Sequence, residues 1–191
     1  MIRAFGAILV AAAISAGASA QDFSAKDGLT GDQETPVVET TGNGTGTADF
    51  DPATNLLSVD LSWSGLVSPT RDAHIHCCLT DMPTVGVALG FSATFPLGVT
   101  SGNFSQSYNL LDPSVYTSSF LTNPDFGGGT AAGARDALLA GMRNGTAYFN
   151  IHTELHRSGE IRGHITPEPS SIVLALGGLG AFALMYRRRN K

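Results

Sequence analysis

Hydrophobic and polar positions alternate through most of this chain. The clearest stretch is Leu57, Val59, Leu61 and Trp63, separated by Ser58, Asp60 and Ser62. A period of two puts the apolar set on one face and the polar set on the other, as in a half-buried β-strand. Residues 45–50 read as the preceding strand, joined to it through the turn-forming run Asp51, Pro52, Ala53, Thr54, Asn55. Residues 73–78, 85–91 and 104–110 predict further short strands. Residues 109–129 read as loop, with Pro113, Pro124 and three consecutive glycines. The period then changes. Ala134, Leu138 and Met142 recur at helical spacing before the stop signal Asn144-Gly145, which predicts one short helix over 131–143. Residues 146–153 and 160–166 close the region as a hairpin across Arg157, Ser158 and Gly159. Many short strands with glycine-rich turns predict an all-β domain. The expected architecture is a β-sandwich or Greek-key barrel with one short helix in a connection.

The alternation also sorts the polar residues. In the closing hairpin Phe149, Ile151, Ile161 and Ile165 fall on the core face. Tyr148, Asn150, His152, Glu160, Arg162 and His164 fall on the other. Glu160 and Arg162 can pair along the strand or with cross-strand neighbours. His74 and His76 flank Ile75 and therefore point the same way, and they join this polar face if their strand neighbours it. A His-x-His pair on a strand is a useful start for a copper or zinc site, and His152 or His164 would complete it. The competing reading is that the four imidazoles hydrogen-bond to backbone or carboxylates and hold the sheet together. His156 falls in the turn, where solvent exposure is expected.

Both ends differ from the middle. Residues 1–20 carry Arg3, an apolar run over 7–14 and the small residues Ala18-Ser19-Ala20, the layout of a cleaved secretory signal. At the other end Pro167, Glu168 and Pro169 are followed by apolar residues and glycines over 172–186, then by Arg187, Arg188 and Arg189. Fifteen helical residues span about 22 Å, short of a hydrocarbon core of about 30 Å, and flanking residues over about 170–186 with snorkelling arginines narrow the gap. The basic end is expected on the cytoplasmic side of the inner membrane. The chain thus divides into a signal over 1–20, a β domain over 21–166 and a tail over 167–191. Pro-Glu-Pro, an apolar helix and a terminal arginine cluster in that order resemble the PEP-CTERM sorting signal of Gram-negative bacteria. That resemblance implies processing by an exosortase and delivery to the cell surface or an exopolysaccharide matrix.

Charge and cysteine content narrow the partners. Within residues 21–166 six basic side chains stand against fifteen acidic ones. An acidic domain disfavours nucleic acid and anionic lipid. The two cysteines, Cys77 and Cys78, are adjacent, which excludes a disulfide-stapled scaffold. The frequent burial of free cysteine favours two small core side chains. A vicinal disulfide, an intermolecular bridge or, beside His74 and His76, a soft-metal site are the alternatives.

Three separated motifs resemble the chordin-type (CHRD) domain. The first is Leu29-Thr30-Gly31-Asp32-Gln33-Glu34-Thr35-Pro36-Val37, the second Ala73-His74-Ile75-His76. The third is Tyr148-Phe149-Asn150-Ile151-His152-Thr153 with Gly159-Glu160-Ile161-Arg162-Gly163. Thr35 replaces the first of a usual proline pair, Cys77-Cys78 stands where glycine is common, and Ser158 stands where proline is usual. The resemblance spans about residues 28–165. It implies an immunoglobulin-like β-barrel of an extracellular module found in animal chordin and in bacterial surface proteins, and it implies no reaction. The expected function is an exported surface or matrix module, binding protein, polysaccharide or a cation through its polar face. The alternative is a copper- or zinc-binding barrel similar to copper-zinc superoxide dismutase, although no zinc-ligand loop and no separated disulfide pair is present. No nucleophile elbow or Glu-x-x-His motif supports a hydrolase.

Overall fold

The computed structural model describes residues 20–78, 84–91 and 94–168. The expected signal and transmembrane helix therefore lie outside the described residues, apart from Ala20. No helix among the described residues is long and apolar enough to cross a membrane.

The strand made from the clearest alternation, β4 (Leu56–Ser64), lies between β3 (Asn43–Asp51) and β7 (Gly102–Asn109), and all three run antiparallel. Its Leu57, Val59, Leu61 and Trp63 are buried, while Asp60, Ser62 and Ser64 are exposed. The remaining strands are β1 (Gln21–Ala25), β2 (Leu29–Thr30), β5 (Thr70–His76), β6 (Val87–Gly90), β8 (Tyr148–Thr153) and β9 (Ile161–Pro167). They form one nine-stranded antiparallel sheet in the order β6-β5-β8-β9-β1-β3-β4-β7, with β2 bridging β3 and β9. The sheet curls over a single apolar core that draws on nearly every strand. Phe91, just past β6, packs on Phe104 of β7 with ring centroids 5.1 Å apart, so the two outermost strands meet across the core. This is the all-β architecture the alternation predicts.

The helix is α2 (Ala131–Arg143). Thr130 caps it, its Oγ1 accepting from the Gly133 N–H at 3.1 Å. Ala134, Leu138 and Met142 are buried as their spacing predicts, with Leu139 and Gly141 beside them. The region read as loop holds additional helical structure. A five-residue helix, α1 (Ser118–Thr122), is capped by Thr117 and anchored by buried Phe120, which stacks on Phe126 at 5.1 Å. One buried aromatic in five residues leaves too short a period to be read from sequence. β1 and β2 are likewise unannounced, because Gln21, Asp22 and Ser24 dilute any alternation. β1 is nonetheless internal, paired to β3 on one side and β9 on the other.

The structure decides between two sets of alternatives. Cys77 and Cys78 are not a pair of free buried thiols but a vicinal disulfide, with Cys77 buried and Cys78 half-buried. Glu160 and Arg162 do not pair with each other. Arg162 binds Glu34, Nη2 to Oε2 at 2.8 Å, whereas Glu160 accepts from hydroxyls and backbone.

Candidate metal centre

The polar face of the closing strands takes shape through register. β5 pairs with β8, setting Asp72 opposite His152, His74 opposite Asn150 and His76 opposite Tyr148. β8 pairs in turn with β9, setting Asn150 opposite Arg162 and Tyr148 opposite His164. An irregularity in the β5–β6 pairing between Ile75 and His76 re-aims the end of β5 next to residue 85.

Three of the four candidate histidines come together. His74, His76 and His152 each present one ring nitrogen, and these atoms lie within 4.8 Å of one another. The ring centroids are 5.0 Å apart for His74 and His152, 5.6 Å for His74 and His76, and 5.9 Å for His76 and His152. His164 stays outside. It is exposed, its Nδ1 donates to the Gly145 carbonyl at 3.2 Å, and Tyr148 stands between it and His76 in the strand register. His156 is half-buried in its turn.

The partners of each imidazole decide where its lone pair points. His76 Nδ1 lies 2.6 Å from the Val85 carbonyl, and His152 Nδ1 lies 3.0 Å from the Arg157 carbonyl. Carbonyls only accept, so both rings carry the proton at Nδ1 and leave Nε2 as a lone pair. His74 Nε2 lies 3.0 Å from the Asp72 carboxylate and donates there, which leaves Nδ1 as its lone pair. His76 Nε2 is buried without a hydrogen-bond partner among the described residues. The lone pairs of His74 Nδ1 and His152 Nε2 face each other at 3.1 Å. Two acceptors at that distance repel unless a proton or a cation lies between them.

Burial keeps these rings neutral. It pushes His76 down to about 4, and it lowers His74 against the opposing pull of Asp72. It lowers His152 against the Arg157 carbonyl, with the neighbouring His74 adding to the lowering. Neutral imidazoles whose second nitrogen is held by a carbonyl or carboxylate are the arrangement that metal-ligating histidines adopt. Three such nitrogens suit zinc or copper and leave a further coordination position open.

The rest of the polar face is covered rather than displayed. The segment after β2 folds across it. Glu34 lies between Arg162 and Asn150, its Oε1 accepting from Asn150 Nδ2 at 2.9 Å. Burial pushes the Glu34 carboxyl above its ordinary range, against the opposing pull of Arg162. The Arg162 guanidinium also sits over the Tyr148 ring, 4.2 Å from its centroid, and Tyr148 stacks in parallel on His76 at 4.8 Å. Glu160 is fully buried and holds three donors, the Thr40 and Thr153 hydroxyls at 2.6 and 2.7 Å and the Val67 N–H at 2.8 Å. These contacts tie the early segment, the 65–69 turn and the closing hairpin into one buried network beside the histidines.

His74, His76, His152, Glu34, Asn150, Glu160 and Arg162 all belong to the three sequence motifs, and the family comparison covers them. Residues 26–165 match the CHRD domain. The chain belongs to the CHRD domain family. Residues 166–189 match the PEP-CTERM protein-sorting motif, so the CHRD domain is that of an exported protein with a membrane-anchored precursor and an exosortase-type processing enzyme. No curated protein and no solved structure matches the chain. Sequence reasoning overlooked three contributors to the CHRD domain's histidine cluster. Asp72 was legible, since it stands two residues before His74 on the same strand face. The carbonyls of Val85 and Arg157 carry no side-chain signal.

Proposed function

We propose that this protein is a metal-binding surface module. In this reading the exported CHRD domain holds one copper or zinc ion between His74, His76 and His152, at the surface or in the extracellular matrix of a Gram-negative bacterium. The observation that carries it is the facing pair of lone pairs on His74 Nδ1 and His152 Nε2, 3.1 Å apart with no proton to share in the neutral state, together with a ring nitrogen of His76 within 4.8 Å of the ring nitrogens of the other two. A tetrahedral ion with metal–nitrogen distances of about 2.0–2.1 Å holds its ligands roughly 3.3 Å apart, close to that spacing.

The same geometry disfavours a broad protein- or polysaccharide-binding face at these strands. Asn150, Glu160 and Arg162 have internal partners and are nearly inaccessible, whereas Asp72, His74 and His76 are only partly buried. A small cation can reach partly buried nitrogens, whereas a polymer needs a displayed polar face.

Metal analysis of protein purified without a histidine tag tests the reading. The expected result is about one copper or zinc per chain, lost in His74→Ala and His152→Ala and retained in His164→Ala. A stoichiometry near zero after incubation with either ion ends it.

A further inference from the structure

The vicinal disulfide begins at the residue after His76, and the two are joined through a second path. The Cys77 N–H donates to the Gly86 carbonyl at 3.3 Å, and the adjacent Val85 carbonyl is the acceptor that fixes the His76 ring. Cys77, Val85 and Gly86 line one cavity of about 190 Å³, with Phe120 and Phe126 on its far side. The sulfurs also rest on α2 at Gly141. A Cβ there would collide with Cys77 Sγ and lie 2.8 Å from Cys78 Sγ.

We infer that the Cys77–Cys78 disulfide is a thiol-responsive element that controls the metal affinity of the His74, His76 and His152 site. This rests on the metal-binding reading above. The partner is an external dithiol. Its thiolate attacks Sγ of Cys78, the half-buried member, breaking the Cys77–Cys78 bond and forming a mixed disulfide, while Cys77 leaves as thiolate. The second thiol of the reagent then closes its own disulfide and releases Cys78. Two electrons pass from the dithiol to the cysteine pair, and its two protons end on the cysteine thiols.

The consequence follows from the packing. Two unbonded sulfurs need more room than a bonded pair. The backbone at Gly141 blocks movement towards α2, so Cys77 shifts away from the helix, and its N–H is bonded to the Gly86 carbonyl. Movement there carries Gly86 and Val85 with it, and the Val85 carbonyl no longer holds His76 in place. Loss of such an orienting partner typically weakens metal affinity about 10–100-fold.

The test compares zinc affinity, by competition with a chromophoric chelator, in three forms of the untagged protein. These are the disulfide form, the same protein reduced with dithiothreitol and desalted anaerobically, and the Cys77→Ser/Cys78→Ser variant, whose fold is checked by the fluorescence of Trp63. The expected result is a Kd weaker by about 10-fold or more in the reduced form and in the variant. Affinities within about twofold of one another, or a disulfide that dithiothreitol leaves intact in the folded protein, overturn the inference. If the variant does not fold, the reduced wild-type protein alone decides. If the disulfide form binds no zinc, the metal reading fails. The linkage is then decided by the His76 imidazole NMR signals, which move on reduction if the disulfide positions that ring and stay fixed if it does not.

Discussion

His74 Nδ1 and His152 Nε2 face each other at 3.1 Å across adjacent strands, while the opposite nitrogens of the two rings donate to Asp72 and to the Arg157 carbonyl. In the metal-free protein this contact is repulsive, and an ion between the two turns it into a shared ligand set. Metal should therefore stabilise the fold, by about 2.7 kcal/mol at a free concentration of 100 times Kd. Thermal unfolding with and without zinc measures this. The shift should vanish in His74→Ala, whose metal-free form should be close to wild type in stability. A zinc-dependent shift that survives in this variant would place the binding elsewhere.

Acid should weaken the metal-free fold through the same rings. His76 is pushed down to about 4 in the folded chain against 6.5 ordinarily, and His74 and His152 are lowered as well. Between those values the unfolded chain takes up protons that the folded one refuses, so stability falls as pH drops from about 6.5 towards 4. Above 6.5 these groups contribute no pH dependence. His76 alone accounts for a loss of roughly 3 kcal/mol once pH is below both values. Urea midpoints across this range check it, and His76→Gln should flatten the slope.

Strand alternation was enough to separate Ile75, Ile151 and Ile161 from His74, His152 and Arg162, because a period of two is a local property of the backbone. It could not show that the polar side of β8 is buried as thoroughly as the apolar side. Burial of Asn150 comes from Glu34, 116 residues away, and burial of Glu160 from Thr40, 120 residues away. Contacts at such separations leave no trace in local periodicity. The same limit explains His164, which shares its face with the other histidines yet stands a strand too far along the row through Tyr148. Conversely, the β5–β8 pairing that unites His74 and His76 with His152 is a topological fact, since residues 77–147 intervene.

The Glu34–Arg162 pair should be sensitive to removal of either partner. Both side chains are only 3–4% exposed, so Glu34→Ala removes a carboxylate from beside a buried guanidinium. Breaking a buried pair on one side costs about 3–5 kcal/mol. Chemical unfolding followed by Trp63 fluorescence reads this loss. Conversion of both residues to well-packed apolar ones should cost markedly less, because neither member of the pair then stays buried without the other. Equal losses in the single and double variants would mean that packing, not charge, is what the pair supplies.

Gly159 closes the hairpin between β8 and β9 at the point where the buried network comes closest to the backbone. Its φ is +129°, a region that side chains rarely adopt. A Cβ there would run into Glu34 Oε1 and Asn150 Oδ1, the side chains joined by the hydrogen bond from Asn150 Nδ2 to Glu34 Oε1. Gly159→Ala therefore combines backbone strain with displacement of a satisfied hydrogen bond, and strain of this kind costs about 1–3 kcal/mol. At a urea slope of about 1–3 kcal/mol per molar, the midpoint should fall by roughly 1 M. Gly86→Ala is the matched control, since its Cβ would meet nothing within 4 Å and its φ is ordinary. If the two substitutions shift the midpoint equally, the close approach of the network to Gly159 is not what makes glycine necessary there.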